Sequence, residues 1–198
     1  MSASDPIVFE VERPPTFGRA HVFARVTLLA VVGWVVQPVG LLWLGLPVVA
    51  AFLVSRKGGR RYLDEDGATV ASVLTWVLDF VAYLALLTDK LPRDAEHSVR
   101  FEVERKGSPT TRSALMRIVN VIPSLIVLSI LTWVATFVWL VALVFVVLNG
   151  RYPAGMWRFL CGLVQWDARL LAYLASLVDD YPPFALNAGV EVTAPSAS

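Results

Sequence analysis

The sequence FEVER occurs twice in this chain, at residues 9–13 and at residues 101–105, which are 92 residues apart. A second repeat, AYLA, occurs at residues 82–85 and 172–175, which are 90 residues apart. Three further identities share this offset, because Trp76, Asp89 and Pro92 recur as Trp166, Asp179 and Pro182. Such a near-constant offset indicates that one unit of roughly ninety residues is duplicated. The sequence therefore predicts two tandem repeats, covering residues 6–95 and 98–187, followed by a C-terminal tail at 188–198.

Both repeats are apolar. The 198-residue chain is 57% hydrophobic and 17% charged, with a mean hydropathy of +0.64, whereas soluble domains carry about 25% charged residues. Four apolar runs account for the difference, at residues 22–54, 69–88, 117–148 and 157–178. About 20 residues suffice to cross the hydrocarbon core of a bilayer. The composition predicts a membrane protein with four membrane helices, and the net charge of +1 gives no reason to expect a nucleic-acid partner.

The predicted fold class is an all-α membrane protein of two parallel repeats, each a short β-strand followed by two apolar helices. The strands rest on the alternation of apolar and acidic residues in each FEVER segment, with a weaker version at Val190–Val192. Because both strands would lie on the same side of the membrane, we expect them to pair.

Prolines mark the expected ends and breaks of the helices. The runs at 22–54 and 117–148 are too long for one upright crossing. A break is expected at Pro123, and kinks are expected at Pro38 and Pro47. The second helix of each repeat ends at an acidic residue followed by proline, which is a stop signal. The polar stripe on 157–178 also fits a helix in the headgroup plane, so spanning and interfacial arrangements both stay open for the second helices.

The distribution of basic residues predicts the orientation. Of the 17 lysines and arginines, ten lie in the N-terminal segment and the linker between the repeats, six lie in the loops within repeats, and Arg169 lies inside an apolar run. This bias favours cytoplasmic termini. The predicted topology is multi-pass.

Asp79 and Arg169 occupy equivalent positions of the two repeats, 90 residues apart. Each lies in the middle of an apolar run, where ionisable groups are costly and usually pair. We therefore predict a buried ion pair between them. Helical spacing places Ser72 and Thr75 on the face of Asp79, and Gln165 on the face of Arg169, so the sequence predicts a polar stripe at the interface between the repeats.

Asp167 does not fit this stripe, because it lies on the opposite, leucine-rich face of its helix. The equivalent residue in the first repeat is Val77. The sequence allows three partners for this carboxylate: another subunit, Arg25 or Arg117.

Few residue patterns suggest chemistry. His21 and His97 are far apart, without further ligands at zinc spacing, and the single cysteine, Cys161, lies in an apolar run, as a buried thiol would. No phosphate-binding loop, dinucleotide fingerprint or nucleophile elbow is present. We expect no catalytic residues, no metal and no cofactor.

Several short motifs of the second repeat together resemble a known family. They are Asn149–Pro153 (NGRYP), Trp166 with Arg169, Ala172-Tyr173, and Tyr181–Phe184 (YPPF). The segment 112–186 is similar to the bacterial membrane family catalogued as domain of unknown function 4389. The first repeat resembles a diverged copy. The resemblance implies a multi-pass protein of the bacterial plasma membrane and no particular activity.

Two functions from different classes follow. The first is a non-enzymatic accessory subunit or scaffold, with the bilayer and other membrane subunits, or further copies of itself, as partners. The second is a small transporter or channel component that uses the polar stripe. A lipid-modifying enzyme ranks third, because no acid or histidine cluster lies on a helix.

Overall fold

The computed structural model describes residues 7–11, 39–90, 98–105, 107–184 and 186. Within them the chain is mostly helical, with six helices and one two-stranded sheet. Helices α1 to α6 span Val39–Lys57, Gly59–Glu65, Gly67–Leu84, Thr111–Asn120, Ile122–Asn149 and Ala154–Leu174, and strands β1 and β2 span Ile7–Val11 and Val99–Val103.

The two long apolar runs differ in how much of each is described. The described part of the first begins with α1, so residues 22–38, including Pro38, lie outside the described residues. Helix α1 continues through Pro47. The second run is divided at Val121 into α4 and α5, with Pro123 in the first turn of α5. Proline is tolerated there because the first-turn N–H groups have no intrahelical acceptor. The predicted break at Pro123 is confirmed.

Helices α3 and α6 end in the same way. Each stops four residues before its predicted end, and the chain then passes through a left-handed residue, Leu86 (φ 61°) or Ser176 (φ 58°). Such a residue followed by a hydrogen bond back across the last turn is a Schellman ending. The bonds run from Leu87 N–H to Ala82 O at 2.9 Å and from Leu177 N–H to Ala172 O at 3.1 Å. This turn ends each helix before the prolines are reached.

Strands β1 and β2 pair as expected, in antiparallel orientation. Phe9 lies directly opposite Phe101, so the two FEVER segments meet at equivalent residues. The inner face of the sheet is buried and apolar, while Glu10, Arg100 and Glu102 are exposed on the outer face. The weaker segment at Val190–Val192 lies outside the described residues.

Helices α3 and α6, which are equivalent in the predicted repeats, run antiparallel. At the start of α3, a Cβ placed on Gly67 would lie 3.7 Å from the Leu177 side chain, just beyond α6. Beyond the other end of α3, Leu87 O accepts a hydrogen bond from the Trp157 indole at 3.2 Å. The prediction that the repeats are parallel is therefore wrong for these helices.

The physical reason is the path of β2. The Ser98 and Val99 N–H groups contact Asp79, and Arg105 then reaches the start of α3, where its guanidinium lies 3.4 Å from Leu63 O. Strand β2 and the residues that follow it thus run along α3 from Asp79 back to the start of that helix. Helix α4 then packs against α1, and α6 packs against both α3 and α5.

Two helices among the described residues, α3 and α5, are long and apolar enough to cross a membrane. Helix α5 has 28 residues, about 42 Å at 1.5 Å per residue. It buries only a narrow stripe, consisting of Ser124, Leu128, Ala135, Ala142 and Val146. The two candidate spans among the described residues are fewer than the four membrane helices predicted. Helix α6 is instead largely buried against the rest of the protein, and it carries Arg158, Asp167 and Arg169.

Candidate functional site

Asp79 joins α3 to the sheet. Its carboxylate is fully buried, and its Oδ1 accepts hydrogen bonds from the N–H groups of Ser98 and Val99, each at 3.1 Å. Hydrogen bonds to an ionised acceptor are stronger than neutral ones. Asp79 therefore fixes the first residue of β2 against the helix, a role that the sequence did not predict.

Arg169 is also buried, on α6, which packs against α3 and β1. The described contacts of Asp79 are backbone N–H groups, so the ion pair between Asp79 and Arg169 stays a prediction. The rest of the predicted stripe is dispersed. Ser72 is exposed, and the Thr75 hydroxyl donates to Ala71 O in its own helix at 2.9 Å, whereas Gln165 is buried.

Arg117 of α4 forms the most connected polar site among the described residues. Its guanidinium donates to Tyr173 O, to Val178 O and, at 2.7 Å, to the Asp179 carboxylate. It also lies 4.5 Å from the centre of the Tyr173 ring, within the range of a cation–π contact. These carbonyls belong to the last turn of α6 and the residues that follow, which lack intrahelical donors. Arg117 therefore holds this helix end against α4.

The sequence allows Arg117 as a partner of Asp167, and the hydrogen bonds described for Arg117 run to groups at and beyond the end of α6. A signal for its role was present. Arg25 stands 92 residues before Arg117, the offset of the FEVER repeat, and Arg25 lies outside the described residues.

The YPPF motif extends this contact. The Tyr181 and Ser124 hydroxyls form a hydrogen bond, and the Tyr181 ring meets that of Tyr173 edge-on at 5.3 Å. Phe184 packs edge-on against Trp166 at 5.6 Å. The motif thus attaches the end of the chain's second repeat to the start of α5 and to α6. We call Arg117, Tyr173, Asp179 and Tyr181 the C-terminal clasp.

Tyr62 of the short helix α2 makes a comparable contact with the end of α6. Its hydroxyl donates to Ala175 O at 2.6 Å, beyond the end of α6. Burial raises the pKa of Tyr62 to about 12, because the charged phenolate is poorly solvated there. Tyr62 is therefore a neutral hydrogen-bond donor at physiological pH.

Asp167 lies on the side of α6 where α1 and α5 approach. Its side chain lines two cavities, of about 670 and 400 Å³, which share Thr132, Thr136 and Leu163 as further lining residues. Among the described residues the carboxylate has no hydrogen-bond or ion-pair partner. Asp167 is thus the outlier that the sequence indicated, and it faces a cavity.

Metal ligation has little support among the placed side chains. Within the described ranges no three His, Cys, Asp or Glu side chains gather as a metal site. Cys161 is buried in α6, and His21 and His97 fall outside those ranges.

Comparison with known proteins gives one match. Residues 111–185 match the sequence profile of a family described as Domain of unknown function (DUF4389), which confirms the resemblance expected over 112–186. The matched segment contains α4, α5, α6 and the clasp. No curated protein and no solved structure matches the chain. Residues 111–185 of this chain are therefore similar to the DUF4389 family.

Proposed function

We propose that the protein is a non-enzymatic accessory subunit of a membrane complex, made of two diverged repeats related by a rotation. One observation carries this proposal: the molecule has an apolar face and a charged face. Exposed residues of α1 and α5 form the apolar face, among them Phe52, Ile130, Trp133 and Phe137. Exposed apolar surface on this scale marks a contact with lipid or protein.

The outer surface of the sheet is the charged face. Arg100 and Glu102 form an ion pair at 2.9 Å with side chains 63% and 61% exposed. Since β2 runs along α3, a bilayer crossing by α3 would bring these charges and the open strand edges to the depth of the hydrocarbon. Lipid cannot satisfy such groups. A protein partner that covers the sheet can satisfy them, and strand addition is the usual way.

The rotation between the repeats is supported by three local correspondences. The FEVER strands pair at equivalent residues, α3 and α6 pack side by side in opposite directions, and both helices end in the same turn. A twofold axis perpendicular to two equivalent helices relates them in opposite directions. Under this arrangement the sheet lies on the axis and offers a partner a central docking surface.

Cysteine labelling tests the proposal. Single cysteines replace Glu102, Trp133 and Arg61 in a Cys161→Ala background, and a membrane-impermeant maleimide is applied to native membranes and to purified protein. We expect residue 102 to be protected in membranes and to react after purification, whereas residue 61, in an exposed loop helix, reacts in both. Residue 133 should be protected by lipid. Equal reaction of residue 102 before and after purification would show that no partner covers the sheet.

A further inference from the structure

The groove between α1, α5 and α6 has a carboxylate on its floor. Asp167 lies there, partly buried, in the position that Val77 holds in the first repeat. Leaving a carboxylate in apolar surroundings without a partner costs free energy. Such an uncompensated cost is typical of a site that is completed by a ligand.

Two of the hydroxyls near Asp167 can act only as acceptors toward the groove. The Thr136 hydroxyl donates to Thr132 O at 2.8 Å, and the Ser129 hydroxyl donates to Leu125 O at 2.7 Å. Each hydroxyl proton is therefore used within α5, so the oxygen lone pairs face the groove. Among the described residues, no lysine, arginine or histidine lines either cavity.

Aromatic rings form the walls of the groove. Trp43 of α1 and Trp133 of α5 line the larger cavity, and Trp139 lines the smaller one. The face of an indole ring attracts a cation, and more strongly than a phenyl ring does. The remaining lining is aliphatic. The groove therefore combines one negative charge, several acceptor oxygens and apolar walls.

We propose that this groove binds an organic ammonium ion with an apolar substituent. The ammonium group pairs with Asp167 and lies against the indole faces, and the substituent fills the aliphatic part. A metal ion is a poor fit, because hard cations require about six oxygen ligands. A helix of a partner is also a poor fit, because it is about 10 Å wide and the groove lies between three helices of one chain. The cavities have the size of small-molecule sites.

The test is calorimetric titration of the full chain in dodecyl maltoside micelles with benzyltrimethylammonium, and with benzenesulfonate as an anion of similar size. Variants are Asp167→Asn, which removes the charge, Asp167→Glu, which keeps it, and Thr132→Val, which removes one hydroxyl. Asp64→Asn is the matched control, because Asp64 is an exposed carboxylate in the loop between α1 and α3. Thermal unfolding of each variant reports whether it is folded.

We expect one saturable site for the cation and none for the anion. Asp167→Asn should weaken binding at least tenfold, Asp167→Glu and Thr132→Val less, and Asp64→Asn by under twofold. Because it removes an unpaired charge, Asp167→Asn should unfold no earlier than the wild type. Absence of saturable cation binding by the wild type, or equal affinity of Asp167→Asn and Asp64→Asn, overturns the proposal. The accessory-subunit proposal is unaffected by either result, because it depends on the sheet.

Discussion

Replacing Arg117 by methionine removes the polar part of the C-terminal clasp and keeps the apolar stem of the side chain. Arg117 is almost fully buried and donates three hydrogen bonds, two to carbonyls at the end of α6 and one to Asp179. A hydrogen bond to a charged group contributes about 1.5–3 kcal/mol. Burying the guanidinium also costs desolvation free energy, so the net stabilisation is smaller than the sum of three hydrogen bonds.

Measured losses on breaking a buried pair are about 3–5 kcal/mol. The lower end applies here, because the Asp179 side chain is 44% exposed and becomes hydrated once Arg117 is gone. Val178 O then has no described donor, whereas Tyr173 O still accepts from the Ser176 N–H at 2.9 Å. We therefore expect a loss of about 3–4 kcal/mol in the free energy of unfolding. For a chain of this size, about 2–4 °C per kcal/mol gives a fall of about 10 °C in Tm.

The assay is thermal unfolding in detergent, followed by tryptophan fluorescence. Arg112→Met is the matched control, because Arg112 lies on the same helix and is exposed. We expect it to change stability by less than about 0.5 kcal/mol. If Arg117→Met lowers Tm no more than Arg112→Met does, the clasp does not hold the end of α6 and the reasoning fails.

Three further predictions concern other positions. Asp79→Leu should destabilise the fold by about 2–4 kcal/mol, because two buried N–H groups lose their acceptor. A double-mutant cycle of Asp79→Asn and Arg169→Gln tests the predicted ion pair: non-additive losses would support it, and additive losses would argue against it. Gly59→Ala should destabilise, because its Cβ would lie 2.1 Å from a carbonyl oxygen, whereas Gly155→Ala, in open space on α6, should stabilise by about 0.5 kcal/mol. Ser176→Gly should raise stability by about 1 kcal/mol, since it relieves a left-handed conformation and removes a buried hydroxyl without a partner among the described residues. Denaturant titration measures all three, and a reversed sign in any of them contradicts its stated cause.

Elements with a local cause were predictable. The alternation in each FEVER segment gave the strands, and the position of Pro123 gave the break before α5. The motifs of the second repeat led to the matched family segment. The ends of α3 and α6 were misplaced, because Leu86 and Ser176 carry no local signal for a left-handed conformation, which glycine usually provides.

The candidate sites were only partly predictable. Asp79 and Asp167 were singled out as unusual, because a charge in an apolar run stands out in any sequence. The residues that contact these two side chains could not be predicted in this way. The contact of Asp79 with β2 joins residues 19 and 20 positions apart, and the clasp joins Arg117 to Asp179 across 62. Side-chain periodicity reports one helix at a time and contains no information about such pairings.

The amino-acid sequence by itself determined the recurring motifs, the apolar character and the two unusual carboxylates, because identity, composition and helical spacing are properties of the chain alone. Only the tertiary structure decided that α3 and α6 run antiparallel, that Arg117 secures the end of α6, and that Asp167 faces a groove. The physical reason is the returning path of β2, which is fixed by a single buried carboxylate accepting two backbone N–H groups. The energy of that contact depends on where the strand lies in space, and the local sequence around Asp79 does not specify it.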